Sequence, residues 1–318
     1  MSYEPPFNKT TRIDELVLEI VELMGEFKAS AVHDAKPWLH RKMRIKTIHS
    51  SLAIEGNTLA EDEVQEIIDG QRVLGNPKDI LEVQNAIAAY EALDTFNPYS
   101  LDDLLRAHRL LMTGLVKGAG KLRSKNVGVF DGDVLIHAGT PPQYVATVMQ
   151  DLFDWLASTD FHPLIASSIF HYEFEFIHPF EDGNGRCGRL WHTCLLASWR
   201  DMFAWLPIES AIFARQQDYY RALAACDAQG SSEVFVELML EAIAESLRYW
   251  MRPAEKRTQQ EMDALALFRN NPRATIQDLA GYLDVSPRTA ARVVKNLRDA
   301  GQIHRAGSNK TGSWECNG

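Results

Sequence analysis

The chain has 318 residues, 46% of them hydrophobic and 24% charged, and a net charge of −10. That length supports a real core in two or three domains, and the acidity argues against a protein that coats nucleic acid. The charge is uneven: residues 257–318 carry nine Lys/Arg against six Asp/Glu, a net of +3, and the preceding part carries −13, so two functional units are expected. The four cysteines, Cys187, Cys194, Cys226 and Cys316, show the spacing of neither metal ligands nor a disulfide framework. They read as small buried hydrophobes in a reducing compartment, the cytoplasm.

At the N-terminus, Asp14, Glu15, Glu19 and Glu22 interrupt every apolar run, so no signal peptide is read there, and no later run approaches a membrane span. "RIDELVLEIVELMGEF" has helical spacing and belongs to an N-terminal helical region, residues 1–45. In "SLAIEGN", Ser51 to Glu55 makes one helical turn and Gly56 fits the position just past a helix end. Thr58 and Glu61 then have the form of a capping box opening the next helix. Helical spacing recurs in "PKDILEVQNAIAAYEAL", "SLDDLLRAHRLLMTGL", "PPQYVATVMQDLFDWL", "HPLIASSIFHYEFEFI" and "SEVFVELMLEAIAESLRYW". Strand signal in this part is confined to "KNVGVFDGDVLIHAG", two β-rich runs around Asp131-Gly132 that read as a hairpin.

The densest chemistry lies in His178–Arg189, "HPFEDGNGRCGR". A helix runs into His178, a loop follows, and a helix restarts at "RCGRLWHTCLLASW". A Gly-Asn-Gly loop feeding a helix N-terminus lets backbone N–H groups converge on an anion, which makes a phosphate cradle of Gly183, Asn184 and Gly185. Arg186 and Arg189, in the first turn, can add forked hydrogen bonds to phosphate oxygens. Asp182 is placed to hold a divalent cation bridging those phosphates, and His178 is the group suited to removing a proton near neutral pH. The plainer readings are a helix-end histidine and an ordinary turn, or metal ligation by His171 and His178 beside Glu175.

A polar stretch at 251–259, "MRPAEKRTQ", reads as a linker to a module at 260–318. There "TIQDLAGYLDVSPRTAARVVKNLRDAG" gives a helix, a tight turn and a second helix, with Ser286 as N-cap, Pro287 at the first position and Gly301 just beyond the end. Two short strands follow in "QIHRAGSNKTGSWEC". The pattern is that of a winged helix-turn-helix. Arg288, Arg292, Lys295 and Arg298 share one side of the second helix and are candidate DNA contacts, while Val293, Val294 and Leu297 face inward. A solvated helix face is the alternative, and the sequence leaves the two open.

"HPFEDGNGRCGR" matches the signature H-P-F-x-[DE]-G-N-G-R-x-x-R, and on it the chain resembles Fic-domain proteins. The similarity of pattern covers about residues 45–250, and the tail is similar to one in a bacterial branch of that family. The resemblance implies a mainly α fold, a Fic-type helical bundle with a β-hairpin flap, plus the winged-helix domain. It implies a protein adenylyltransferase (AMPylator) moving AMP from ATP to a Ser, Thr or Tyr hydroxyl. His178 would be the base and Asp182 the Mg²⁺ ligand. Gly183, Asn184, Gly185 and Arg186 would hold the α- and β-phosphates and Arg189 the γ-phosphate, with Phe180 anchoring the loop. Glycine at 185, where kinase-like members carry lysine, favours nucleotidyl transfer.

The hairpin, about 125–139, would be the flap, with Ile136, His137, Ala138 and Gly139 lining the nucleotide and an edge that clamps a target protein by strand addition. "DYYRALAACD" would close on adenine through Tyr219, Tyr220 and Asp227, although asparagine is the residue expected at 227. "SLAIEGN" is similar to the family's inhibitory sequence [ST]-x-x-x-E-[GN]. Glu55, with Ser51 on a helix at about 41–56, would reach Arg189 and take the place of the γ-phosphate. The expected partners are a target protein, the chain itself as acceptor or as a homodimer mate, and DNA at the tail, with no membrane. Removal of AMP by the same fold, and a DNA-binding regulator with a nucleotide-sensing Fic domain, are the alternative functions.

Overall fold

The computed structural model describes residues 3–29, 37–131, 134–251, 259–299, 303–306 and 312–316. They form two compact units, Met1–Met251 and Arg252–Gly318. Most of the polar stretch at 251–259 lies outside the described residues.

In the large unit, residues 3–10 strap across the end of the bundle, with Tyr3 donating to Glu173 at 2.6 Å and Thr10 to Glu237 at 2.6 Å. They lead into α1 (Thr11–Ala29), which packs along α11 (Glu233–Met251) with Ile13, Leu16 and Ile20 buried. Next, α2 (Pro37–Ile54) ends in a Schellman turn. Asn57 N–H reaches Leu52 O at 3.1 Å and Gly56 N–H reaches Ala53 O at 3.0 Å, while Gly56 takes φ +85°, open to a residue without Cβ.

The expected capping box of Thr58 and Glu61 is not formed. Thr58 gives its N–H and hydroxyl to Asp79 Oδ2, at 3.1 and 2.6 Å. Asp79, on α4 (Pro77–Glu91), is only 8% exposed, and a buried carboxylate must find donors. Instead, α3 (Glu61–Ile68) opens at Ala60, whose N–H is taken by Glu63 Oε2 at 2.8 Å.

Helix α5 (Leu101–Met112) packs on α4, and Asn85 ties them by donating to the Leu111 and Thr113 carbonyls at 3.1 and 2.8 Å. Strands β1 (Gly128–Asp131) and β2 (Val134–Ala138) pair antiparallel with a bulge between Val129 and Phe130, as a hairpin; residues 132–133 at its tip lie outside the described residues. The chain continues through α6 (Pro142–Ser158), α7 (Pro163–Ile177), α8 (Asn184–Trp199), α9 (Ile208–Ala214) and α10 (Gln216–Gln229) to α11. Helices α7 and α8 are the core pair: Leu164–Phe174 and Arg186–Leu196 are buried throughout. A helix buried on all sides has no freedom to slide, so the loop between these two is carried by rigid elements.

The second unit has α12 (Gln259–Asn270), α13 (Ile276–Leu283) and α14 (Pro287–Asp299), then β3 (Ile303–Ala306) paired antiparallel with β4 (Ser313–Cys316). Thr275 and Asp278 form a capping box on α13, and Ser286 Oγ accepts Thr289 N–H at the start of α14. Phe268, Leu279, Val293, Val294, Leu297, Ile303 and Trp314 make the core of a winged helix-turn-helix; Gly301 lies outside the described residues. With fourteen α-helices and two two-stranded ribbons among the described residues, the protein is mainly α. No described helix is long and apolar enough to cross a membrane.

Candidate active site

The loop between α7 and α8 is built from groups that leave it little choice of shape. Phe180 is fully buried and stacks on His108 at 3.6 Å, with the two rings 4° from parallel. Asn184 staples the loop, its Oδ1 accepting Phe180 N–H at 2.9 Å and its Nδ2 donating to Phe180 O at 3.0 Å. His108 Nδ1 accepts Gly120 N–H at 2.9 Å, so the proton is on Nε2, which donates to Asp182 O at 2.9 Å. Burial, opposed by that carbonyl, pushes the His108 pKa down to about 4. Gly183 takes φ +83° over Met112, where a Cβ would sit 2.5 Å from the sulfur.

Helix α8 therefore starts open. Its first intrahelical bond runs from Cys187 N–H to Gly183 O at 3.0 Å, so the N–H groups of Asn184, Gly185 and Arg186 have no partner within the helix. His178 ends α7 in the left-handed region, φ +53°, a strained setting for a residue with a Cβ. Arg123 holds it there: 4% exposed, this guanidinium donates to the carbonyls of His178 (2.6 Å), Lys125 (2.8 Å), Ile177 (3.2 Å) and Thr140. His178 Nδ1 lies 3.3 Å from Glu175 O. A carbonyl only accepts, so Nδ1 carries a proton, and in the neutral ring the lone pair is then on Nε2.

The two arginines of α8 diverge. Arg186 Nη1 donates to Glu82 Oε1 at 3.0 Å and Nη2 to Asp182 Oδ1 at 3.3 Å. Arg189 turns to α2: Nε donates to Ser51 Oγ at 3.2 Å, and Nη2 to Ser51 O at 2.9 Å and Glu55 Oε1 at 2.8 Å. Burial lowers the affinity of Arg189 for its proton, but Glu55, then Tyr219, outweigh it and hold the pKa above the ordinary value. Glu55 also lies against Gly185, where an added Cβ would come 2.3 Å from Oε1. The glycine is what lets this carboxylate in.

The hairpin reaches the same place. Gly139, just past β2, sits so close to His178 that a Cβ would meet that of the histidine at 3.2 Å. The side chains of Ile136, His137 and Ala138 lie outside the described residues. Of the residues expected at adenine, Tyr220 is 47% exposed and donates to Ile54 O at 3.2 Å, beside Glu55. Tyr219 is 2% exposed, its ring turned into the core against Phe235 and its hydroxyl 3.2 Å from His171 Nε2. Asp227 accepts from Tyr172 at 3.0 Å. The structure thus brings His178, the α8 N-terminus, Arg186, Arg189, Glu55 and Gly139 together, with Tyr219 buried beside Arg189.

Among the described residues no group of three His, Cys, Asp or Glu side chains is placed to hold a metal, which leaves His171 a core residue. Asp182 offers one half-exposed carboxylate beside the cradle, with Oδ1 also accepting Gly183 N–H at 2.6 Å. That fits a Mg²⁺ ion drawing its other ligands from phosphate and water.

Residues 98–196 match the Fic/DOC family and residues 258–310 the MarR family. A Fic family protein from Desulfovibrio desulfuricans G20, known as a crystal structure, is 42% identical, aligns with a TM-score of 0.78 and covers 99% of each chain. The chain belongs to the Fic family. The protein adenylyltransferase Fic of Nematostella vectensis is 32% identical over 188 residues, 55% of this Fic chain and 42% of its own. The protein adenylyltransferase fic-1 of Caenorhabditis elegans is 28% identical over 227 residues, 66% and 42% of the two. This chain thus spans well under half the length of these curated relatives.

In the winged-helix unit of this Fic protein Arg288, Arg292, Lys295 and Arg298 are all exposed, and none makes an ion pair among the described residues. Arg123, His108, Glu82 and Asn57 were not found from the sequence, because each acts on partners far away along the chain. Only Glu82 carries a local signal, a charged residue set between apolar neighbours.

The neutral His108 makes the fold acid-sensitive. Above about pH 6.5 it is uncharged in both states; below, the unfolded chain takes a proton that the folded chain refuses until about pH 4. Stability should fall as pH drops through that window, by roughly 3 kcal/mol from this group, with His192, whose pKa burial lowers to about 3, adding to the slope. Urea titrations between pH 7 and pH 4.5 should show a proton uptake on unfolding that drops by about one in His108→Gln. An unchanged uptake would contradict the assignment.

Proposed function

We propose that this protein is an adenylyltransferase that moves AMP from ATP to a Ser, Thr or Tyr hydroxyl of a protein, and that Glu55 holds it in check. The observation that carries the reading is a carboxylate standing in for a phosphate. Glu55 Oε1 rests on Arg189 at 2.8 Å and against Gly185, at a helix N-terminus whose first N–H groups have no partner within the helix. The names of the relatives support the reaction class.

In this reading the ATP phosphates take the N–H groups of Asn184, Gly185 and Arg186 together with the Arg186 guanidinium, and the γ-phosphate takes Arg189. His178 Nε2 accepts the hydroxyl proton while the oxygen attacks the α-phosphorus. The bond from that phosphorus to its bridging oxygen breaks, and pyrophosphate leaves. Asp182 would hold Mg²⁺, which when bound offsets phosphate charge. Arg123 keeps His178 in its strained backbone and ties it to both feet of the flap, Lys125 and Thr140. The flap's exposed strand edge would add a segment of the target protein by β-pairing.

His178→Ala should lower AMP transfer by about 10² to 10⁴ while leaving ATP binding largely intact, since a base is removed and no phosphate contact is touched. Transfer of labelled AMP to lysate proteins and calorimetry of ATP binding check the two halves.

Glu55→Gly should raise transfer by roughly one to three orders of magnitude, each ~1.4 kcal/mol of lost competition being tenfold. Adding Arg189→Ala should erase the gain. Wild type as fast as Glu55→Gly would reduce Glu55 to a helix-end carboxylate. Removal of AMP as the dominant activity would appear in the same assay as loss of label with Glu55 intact.

The exposed cations of α14, which make no ion pair among the described residues, favour a second role, DNA binding by the tail. Arg288→Ala with Arg292→Ala should weaken binding and reduce its salt slope by about one per lost phosphate contact. A gel shift at low salt that finds no binding would leave α14 a solvated face.

A further inference from the structure

The reading above uses Arg186 without saying what aims it. Arg186 is 4% exposed, and the residue that meets it from outside the motif is Glu82 on α4, itself 6% exposed. Glu82 Oε1 takes Arg186 Nη1 at 3.0 Å, and Oε2 takes Asn57 Nδ2 at 2.9 Å; Lys78 Nζ stands 3.8 Å from Oε1. Asn57 cannot rotate freely, because its Nδ2 also donates to Asp79 O at 3.1 Å and its Oδ1 accepts Leu59 N–H at 3.1 Å. With Nη1 fixed, Nη2 is left to Asp182, and Nε is buried with no hydrogen-bond partner. A buried guanidinium N–H without an acceptor asks for one.

We propose that Glu82 is the positioning residue of Arg186: it holds one nitrogen from behind so that the rest of the fork is presented to a nucleotide phosphate. Through Asn57, two residues past Glu55, it links that alignment to the segment that covers Arg189. The inference rests on the nucleotide cradle of the proposed function. Glu82 differs from Glu55 in a way that sets its role. The Glu55 side chain is 29% exposed and open to displacement by a phosphate, whereas that of Glu82 is 7% exposed and tethered on both oxygens, so it orients the arginine and does not compete for it.

The test uses the full-length Glu55→Gly protein, in which the cradle is accessible, and adds Glu82→Gln, which keeps size and one acceptor but cannot satisfy both Arg186 and the pinned Asn57. Calorimetry with Mg-ADP reads alignment without any transfer step, so it stands even if AMP transfer is not this protein's reaction. Glu82→Gln should weaken Mg-ADP binding about 10-fold, and Arg186→Ala should weaken it at least as much. The double variant should be no worse than Arg186→Ala alone, since the charge-assisted contact is lost only once. Asn57→Ala should reproduce part of the loss. Where AMP transfer is measurable, KM for ATP should rise with melting temperature within a few degrees of the parent. Tighter Mg-ADP binding in Glu82→Gln would make Glu82 a competitor like Glu55 and overturn the proposal. So would unchanged binding, or additive losses in the double variant.

Discussion

A guanidinium with almost no contact to water sets the arrangement of the large unit. Arg189 is 2% exposed, and a buried cation is tolerated only where its N–H groups meet acceptors. The acceptors come from the end of α2. Glu55 N–H turns back to Leu52 O at 3.0 Å, which leaves the Ser51 carbonyl without its helical donor, and Arg189 takes it. The cation also faces the negative end of the helix dipole. Gln216 and Tyr220 from α10 then bond Ile54 O at 2.8 and 3.2 Å, so the last turn of α2 is held from two sides and Glu55 is delivered to the cradle.

The loop that makes the cradle is held differently, by groups that carry no net charge of their own. His108 and Asn184 each satisfy backbone atoms on both their polar ends, and Phe180 fills the space beneath. A neutral frame has a chemical consequence. It fixes where the N–H groups point without itself supplying an anion, so the positive potential at the start of α8 is left to Glu55 or to a ligand that replaces it. Arg123 is the exception, and its bonds all go to carbonyls, so it brings no carboxylate to the loop.

The motif was legible in the sequence because its chemistry is local: twelve consecutive residues contain the end of one helix, the cradle and the first turn of the next. The helices were legible from apolar spacing, except α9, α10 and α12, which are short or weakly patterned. The partner of Arg189 was legible only through resemblance, since nothing about Ser51–Glu55 alone distinguishes it from any helix end. The capping box at Thr58 failed because a local rule met a distant competitor, Asp79, whose burial made its need for donors stronger. The burial of Tyr219 and the exposure of Tyr220 were not legible either: of two adjacent aromatics on a helix the bundle buries one, and the sequence does not say which.

Arg186 and Arg189 stand three residues apart on one helix, yet α8 sends them to different walls, α4 and α2. Both meet a carboxylate, and the difference between the two carboxylates is one of escape. Glu82 is enclosed by Arg186 and Asn57 inside the fold, and moving it would leave two buried groups unsatisfied. Glu55 sits at a helix end after which Gly56 already bends the chain, with its side chain partly in water. Displacing it would cost one ion pair and no core contact, and a phosphate placed on Arg189 would supply that pair again. Of the two carboxylates that meet these arginines from outside the motif, only the one with water within reach is suited to be a switch.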